Sequence, residues 1–164
     1  MKFLADGMLG KLVRWLRILG HDIIYLVEFD DSELLELAKK DERVLLTKDL
    51  DLYKRAIGRG LDSYYVEGKT EPERIAEVVK RYSLRLVIDM DKSQCPICNT
   101  KLTAASKEQV QSELEKNTFT YYSKFWKCPN CGQIYWQGAH WTQINNTLNQ
   151  AKVKIEKLKE NNGA

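Results

Sequence analysis

Residues 1–92 alternate short apolar runs with longer segments of helical period, and this alternation limits the possible folds more than any other feature of the chain. The strand-like runs are 2–5, 22–27, 43–47, 63–66 and 84–88, rich in Ile, Leu, Val and Tyr. The helix-like segments are about 8–19, 32–40, 50–58 and 72–82. In the first of these Leu9, Leu12, Val13, Leu16 and Leu19 recur at helical spacing and Gly20 stops the helix, while Lys11, Arg14 and Arg17 share the other side. Five strands alternating with four helices predict an α/β fold, a doubly wound and mostly parallel sheet.

Carboxylates stand at the ends of these runs. Asp6 follows the first run, Asp31 opens the second long helix, and Asp49 and Asp51 close the segment from Arg43. In a parallel sheet such positions gather at the carboxyl edge, where α/β proteins build their sites. Clustered Asp oxygens favour Mg²⁺ or Mn²⁺, and sites of this kind usually act on phosphates. The competing explanation is helix capping, because each acid also precedes a helix. Capping needs one acid per helix and gives no reason for Asp49-Leu50-Asp51. Asp30, beside Asp31, is an equal candidate for ligand or cap.

The character of the chain changes at Lys92. All four cysteines follow, as Cys95-Pro96-Ile97-Cys98 and Cys128-Pro129-Asn130-Cys131. Each CxxC lets two thiolates reach one ion from a tight turn, so the pairs supply the four corners of a zinc tetrahedron. Asn99 and Gly132 can take the left-handed conformation that follows the second ligand. Four thiolates leave no open position, and the zinc is expected to be structural. The alternative is a pair of redox dithiols.

Eight of the chain's 16 aromatic residues fall in 119–141, with Lys116, Lys124 and Lys127 among them. Bases stack on aromatic faces and lysines hold phosphates, whereas a small ribbon also needs aromatics for its own core. Strand alternation sends Tyr122, Lys124 and Trp126 to one face and Tyr121 and Phe125 to the other. Residues 107–116 read as helix, 133–136 as a strand and 142–160 as a polar helical tail. Residues 1–92 carry 17 Lys and Arg against 18 Asp and Glu, whereas 93–164 carry nine against five. The second half thus has the sign of a nucleic-acid partner, although bound thiolates would remove about two charges from it. His140 is a structural or RNA-contacting candidate, and His21 is assigned no role. No apolar run approaches the roughly 18–20 residues of a membrane span and the start is unlike a signal peptide, so a cytoplasmic protein without membrane contact is expected.

Three blocks together resemble one known family. Asp6-Gly7-Met8-Leu9-Gly10-Lys11-Leu12-Val13-Arg14-Trp15-Leu16-Arg17-Ile18-Leu19-Gly20-His21-Asp22 resembles the opening of the Mut-seven C-terminal RNase family, a branch of the PIN-like nucleases. Leu45-Leu46-Thr47-Lys48-Asp49 resembles its third strand, and the cysteine pairs with Tyr135-Trp136-Gln137-Gly138-Ala139-His140-Trp141 resemble the zinc ribbon that follows. The resemblance covers about residues 1–141. It implies a PIN-like nuclease domain (1–92), a zinc ribbon (93–141) and a terminal tail (142–164). It also implies a metal-dependent ribonuclease site in which Asp6, Asp31 and Asp49 match the acidic motif and Asp51 a frequent fourth acid. Lys48 stands where Arg is more usual, which keeps the charge and removes a bidentate fork.

The expected protein is therefore a ribonuclease, with Asp6, Asp31, Asp49 and Asp51 catalytic around Mg²⁺ or Mn²⁺ and with Cys95, Cys98, Cys128 and Cys131 on zinc. Lys11, Arg14, Arg17, Lys48, Lys124, Trp126 and Lys127 are the candidate RNA contacts, and a ribosome or RNA-processing assembly is a candidate partner. One rival is a non-catalytic RNA- or ribosome-binding adaptor with the same fold. Another is a haloacid-dehalogenase-like phosphatase using Asp49-Leu50-Asp51, although that arrangement normally follows the first strand.

Overall fold

The computed structural model describes residues 1–163. Its first sheet has four parallel strands, β1 (Lys2–Ala5), β2 (Asp22–Tyr25), β3 (Val44–Thr47) and β4 (Ser63–Tyr65), in the order β2-β1-β3-β4. The connecting helices are α1 (Gly10–Ile18), α2 (Asp31–Lys40) and α3 (Leu50–Gly58), and α4 (Glu71–Arg81) follows β4. The strands are apolar on both faces because both faces are covered. Phe3, Ala5, Val44 and Leu46 pack with α1 and α4, whereas Leu4 and Leu45 pack with Leu34, Leu35 and Ala38 of α2 and Leu52 and Ala56 of α3. The chain leaves β1 toward one side and then crosses to β3 on the other. The winding therefore reverses between β1 and β3, the place where open α/β sheets bind ligands.

Among the described residues no fifth strand joins this sheet. Residues 84–88 are extended but belong to no ladder. Leu86 is buried and Leu84 and Ile88 half-buried, while Arg85 and Val87 face solvent, so the alternating pattern reflects one-sided burial on the main core. This segment carries the chain to the cysteines, with Ile88 and Met90 packed near Cys95, Cys128 and Trp126.

The second sheet is antiparallel, β5 (Thr103–Ala105), β6 (Phe125–Lys127) and β7 (Ile134–Tyr135) in that order. Between β5 and β6 lie α5 (Lys107–Val110), a 3₁₀ turn at Gln111–Glu113 and α6 (Lys116–Tyr121). The aromatic run is therefore helix first and strand only from Phe125. Both faces of this small sheet are occupied. Phe125 packs with Val110 and Ile134, and Trp126 packs with Met90, Cys95, Leu102 and Cys128. The last helix, α7 (Trp141–Asn162), lays Leu148 and Ala151 into the main core, flanked by Ile144 and Ile155.

The two sheets are tied together through α1. Arg17, 7% exposed, donates from Nε and Nη2 to the carbonyl of Ile23 and from Nη1 to the carbonyls of Pro96 and Ile97. Asn99 accepts from the Ile23 amide at 2.9 Å and donates to Asp22 Oδ1 at 2.7 Å. Gln94 N donates to the Arg17 carbonyl, and Ser93 Oγ to that of Ile18.

His21 lies at the start of β2 with neither ring nitrogen hydrogen-bonded, edge-on to Phe3. Burial pushes its pKa down from 6.5 to about 4. The unfolded chain takes up a proton below pH 6.5 that folded His21 refuses, so its contribution is present above 6.5 and is lost as pH falls toward 4. His21→Gln should therefore narrow the drop in melting temperature between neutral pH and the mid-acid range. An undiminished drop would mean that His21 is protonated in the fold.

Candidate functional site

The β1 and β3 carboxyl ends meet through one hydroxyl. Asp6, 7% exposed, accepts from Met8 N at 3.0 Å on Oδ1 and from the Thr47 hydroxyl on Oδ2. Thr47 Oγ1 in turn accepts from Asp49 N at 2.9 Å. Thr47 thus holds the Asp6 carboxylate against the turn that carries Asp49. The sequence shows Thr47 beside Asp49 but not this bridging role, because only strand register brings Thr47 beside Asp6.

Asp49 caps α3, with Oδ1 accepting from Asp51 N at 2.9 Å and Leu52 N at 3.1 Å. Its Oδ2 has no hydrogen-bond partner among the described residues. Asp30 caps α2 and forms a reciprocal pair of bonds with Glu33, so Asp30 is the cap and Asp31 is free of that task. Asp31 instead pairs with Arg55 of α3 at 3.3 Å. Asp51 is exposed on the first turn of α3. Asp6 and Asp49 are therefore linked, whereas no three acidic groups among the described residues bring oxygens within 4.8 Å of one another. Mg²⁺ typically takes one or two carboxylates together with water and substrate oxygens, and Asp6 with Asp49 fits that donor count. Met8, Val27, Phe29 and Leu50, on the loops and helix start at this edge, are exposed apolar side chains that sequence reading passed over.

The cysteines converge as expected. Their sulfurs lie within 4.8 Å of one another, with Cys95–Cys131 at 3.7 Å and Cys98–Cys128 at 3.4 Å. Zn–S bonds near 2.3 Å make a tetrahedron with edges of about 3.8 Å, so the set fits zinc. The two knuckles repeat one design. Asn99 N bonds to the Cys95 carbonyl and Gly132 N to that of Cys128, and both Asn99 (φ 69°) and Gly132 (φ 79°) are left-handed. The Thr100 hydroxyl pulls the Cys98 thiol down to about 5 against burial, with Asn130 assisting. For Cys131 the bond of the Gln133 backbone lowers the pKa. Burial and the neighbouring sulfurs outweigh that bond, and the thiol rises to about 12. Four sulfurs this close cannot all ionise without a cation among them. Tyr135 Oη sits 3.1 Å from Cys95 Sγ, a donor that steadies a thiolate ligand.

The candidate RNA contacts divide. Lys11, Arg14 and Lys124 are exposed. Lys11 lies 3.5 Å from Glu71. Two expectations fail on burial. Arg17 is spent on backbone carbonyls, and Trp126 is 7% exposed with Nε1 donating to Asp91, so neither offers a surface to RNA. The Lys48 ammonium reaches the carbonyls of Val66 and Gly68, and Lys127 pairs with Glu113 at 3.0 Å. His140 is exposed at the start of α7 and is not among the sulfur ligands.

Among known proteins, the family model described as Mut7-C RNAse domain matches residues 1–148, which takes in the parallel sheet, the cysteine centre and the start of α7. No curated protein and no solved structure matches the chain. Among the described residues no helix is long and apolar enough to cross a membrane.

Cys98→Ser should abolish stoichiometric zinc, read by elemental analysis of the purified protein, and should speed amide exchange at Ile23, whose N–H is held by the adjacent Asn99. Unchanged exchange at Ile23 would show that the knuckle keeps its shape without the metal.

Proposed function

The chain belongs to the Mut7-C RNAse domain family, and on that premise we propose that it is a metal-dependent ribonuclease acting in the cytoplasm. Asp6 and Asp49 would hold Mg²⁺ or Mn²⁺, with Asp31 and Asp51 adding negative charge at the same edge. Such an ion supplies Lewis acidity and a water activated for attack on a phosphodiester. The nuclease unit would be 1–92, with the ribbon of 93–141 holding zinc and helping to grip RNA.

The observation that carries the reading is the Thr47 bridge at the point where the winding reverses. It fixes the Asp6 carboxylate, which is nearly buried at a ligand-binding edge. Asp49 gives one oxygen to the helix and keeps the other, so capping and metal binding do not compete. The exposed apolar rim of Met8, Val27, Phe29 and Leu50 offers contact to unpaired bases around the acids.

One observation favours a non-catalytic RNA adaptor instead. Asp30 and Asp49 serve as caps, Asp31 has a cationic partner, and the carboxylates form no tight group of three. The charge itself separates the readings. Asn retains the shape of Asp and its capping ability. Asp6→Asn and Asp49→Asn should each lower Mn²⁺-dependent cleavage of RNA by about two orders of magnitude or more, and Asp49→Asn, which keeps the α3 cap, should leave the melting temperature near that of the native chain. Full cleavage by both variants would sink the nuclease assignment, and no cleavage by the native chain with either metal would leave the adaptor.

A further inference from the structure

A groove of about 440 Å³ runs between α1 and the first cysteine knuckle, lined by Gly10, Lys11, Arg14, Tyr25, Pro96 and Ile97. A second hollow of about 320 Å³ lies beside it and shares Lys11, Arg14 and Pro96, so the two cations form a ridge reachable from both sides. We propose that this groove is the binding track for single-stranded RNA leading to the acidic edge. The occupant's being RNA rests on the ribonuclease reading.

The chemistry of the walls fits one strand. Arg14 is exposed and has no ion-pair partner among the described residues, and Lys11 is held only by an exposed pair with Glu71. Exposed pairs of that kind contribute little, so both cations can turn to phosphates. Opposite them the wall is apolar, with Ile97 58% exposed at the knuckle tip and Pro96 beside it. The Tyr25 ring lies in the groove with its hydroxyl donated to the Gly7 carbonyl at 2.8 Å, which fixes the ring as a stacking surface. The groove, at about 440 Å³, is within the range of about 300–1,000 Å³ that takes a small molecule such as a nucleotide.

Its course points at the acids. Gly10 and Tyr25 bring it to the loop after β1, where Gly7 lies against Val27 and Met8 N is bonded to Asp6. A Cβ at Gly10 would meet the Tyr25 hydroxyl at 3.0 Å, so the glycine lets helix and ring approach here. The knuckle's position is set by Arg17, which grips the Pro96 and Ile97 carbonyls. Arg17 also lines the groove, but its N–H groups are taken up by those carbonyls and that of Ile23, so it acts as a positioning residue.

The test is binding of a short fluorescein-labelled oligouridylate to the full zinc-loaded chain, by anisotropy at several salt concentrations without Mg²⁺ or Mn²⁺. Arg14→Ala should weaken binding about tenfold and flatten the logarithmic salt slope by about 0.7. Ile97→Ser should weaken binding with the slope unchanged. Glu71→Gln should tighten it by freeing Lys11, an effect opposite in sign to any loss of folding. Lys124→Ala, on the other sheet, should have the smallest effect. Unchanged affinity in Arg14→Ala and Ile97→Ser, a loss confined to Lys124→Ala, absence of binding, or equal binding of duplex RNA would each overturn the track. The nuclease reading fails separately. Cleavage that needs Asp6 but ignores Arg14 and Ile97 leaves a nuclease without this track, and groove-dependent binding without cleavage leaves the track on an adaptor.

Discussion

The buried guanidinium of Arg17 is the interaction on which the arrangement of the two halves depends. β2 is an edge strand, and its outward N–H and C=O groups need partners. Ile23 finds one in the chain's second half and one on α1, its amide on Asn99 and its carbonyl on Arg17. The same side chain holds two carbonyls of the first knuckle. Burial pulls the Arg17 pKa down, while Cys95, Cys98 and Asp22 oppose that fall. A zinc ion on four thiolates carries a net charge of about −2, so a fixed cation beside it is favourable. Lysine could not replace it, because three separate acceptors require the planar fork. The knuckle is thereby an edge cover for the parallel sheet as well as half of a cysteine cluster able to hold a metal.

This arrangement links the cysteine cluster to the α/β sheet. Asn99 takes the left-handed turn that closes the CxxC loop, and it is the residue that reaches Ile23 and Asp22. Order in the metal turn is thus carried to the sheet edge by two hydrogen bonds. The other three strands have their ladders within the sheet and the core on both faces, so the coupling is local to β2.

Much of this was legible in the chain, for reasons that also explain the rest. The four strands and the helices between them were readable because each buries two faces or one stripe, and period follows burial. The same rule misread 84–88, where alternation reports one-sided packing of an extended chain and says nothing of a ladder partner. The stripe Ile144, Leu148, Ala151, Ile155 is present in the supposed polar tail, but Lys and Asn on the other face dilute it. Trp126 was misassigned because aromatics interleaved with lysine look alike whether they stack on bases or fill a small core. The choice between Asp30 and Asp31 needed geometry, since the capping bond selects one of two adjacent carboxylates. The role of Thr47 could not be seen at all without the β1–β3 register.

The distribution of cations follows from what the fold has already consumed. Arg17 is held by carbonyls, Arg43 by Asp22, Arg55 by Asp31, Lys48 by the loop after β4 and Lys127 by Glu113. Two anionic centres remain, the acidic edge and the sulfur cluster, and α1 lies between them. The α1 cations that point outward, Lys11 and Arg14, therefore stand where a polyanion would otherwise meet only repulsion. Apolar spacing put Leu12, Val13 and Leu16 on the core, and so forced these two onto the opposite face. One helix thus supplies the core stripe, the bridge between the sheets and the free positive ridge, each at positions fixed by the helical period.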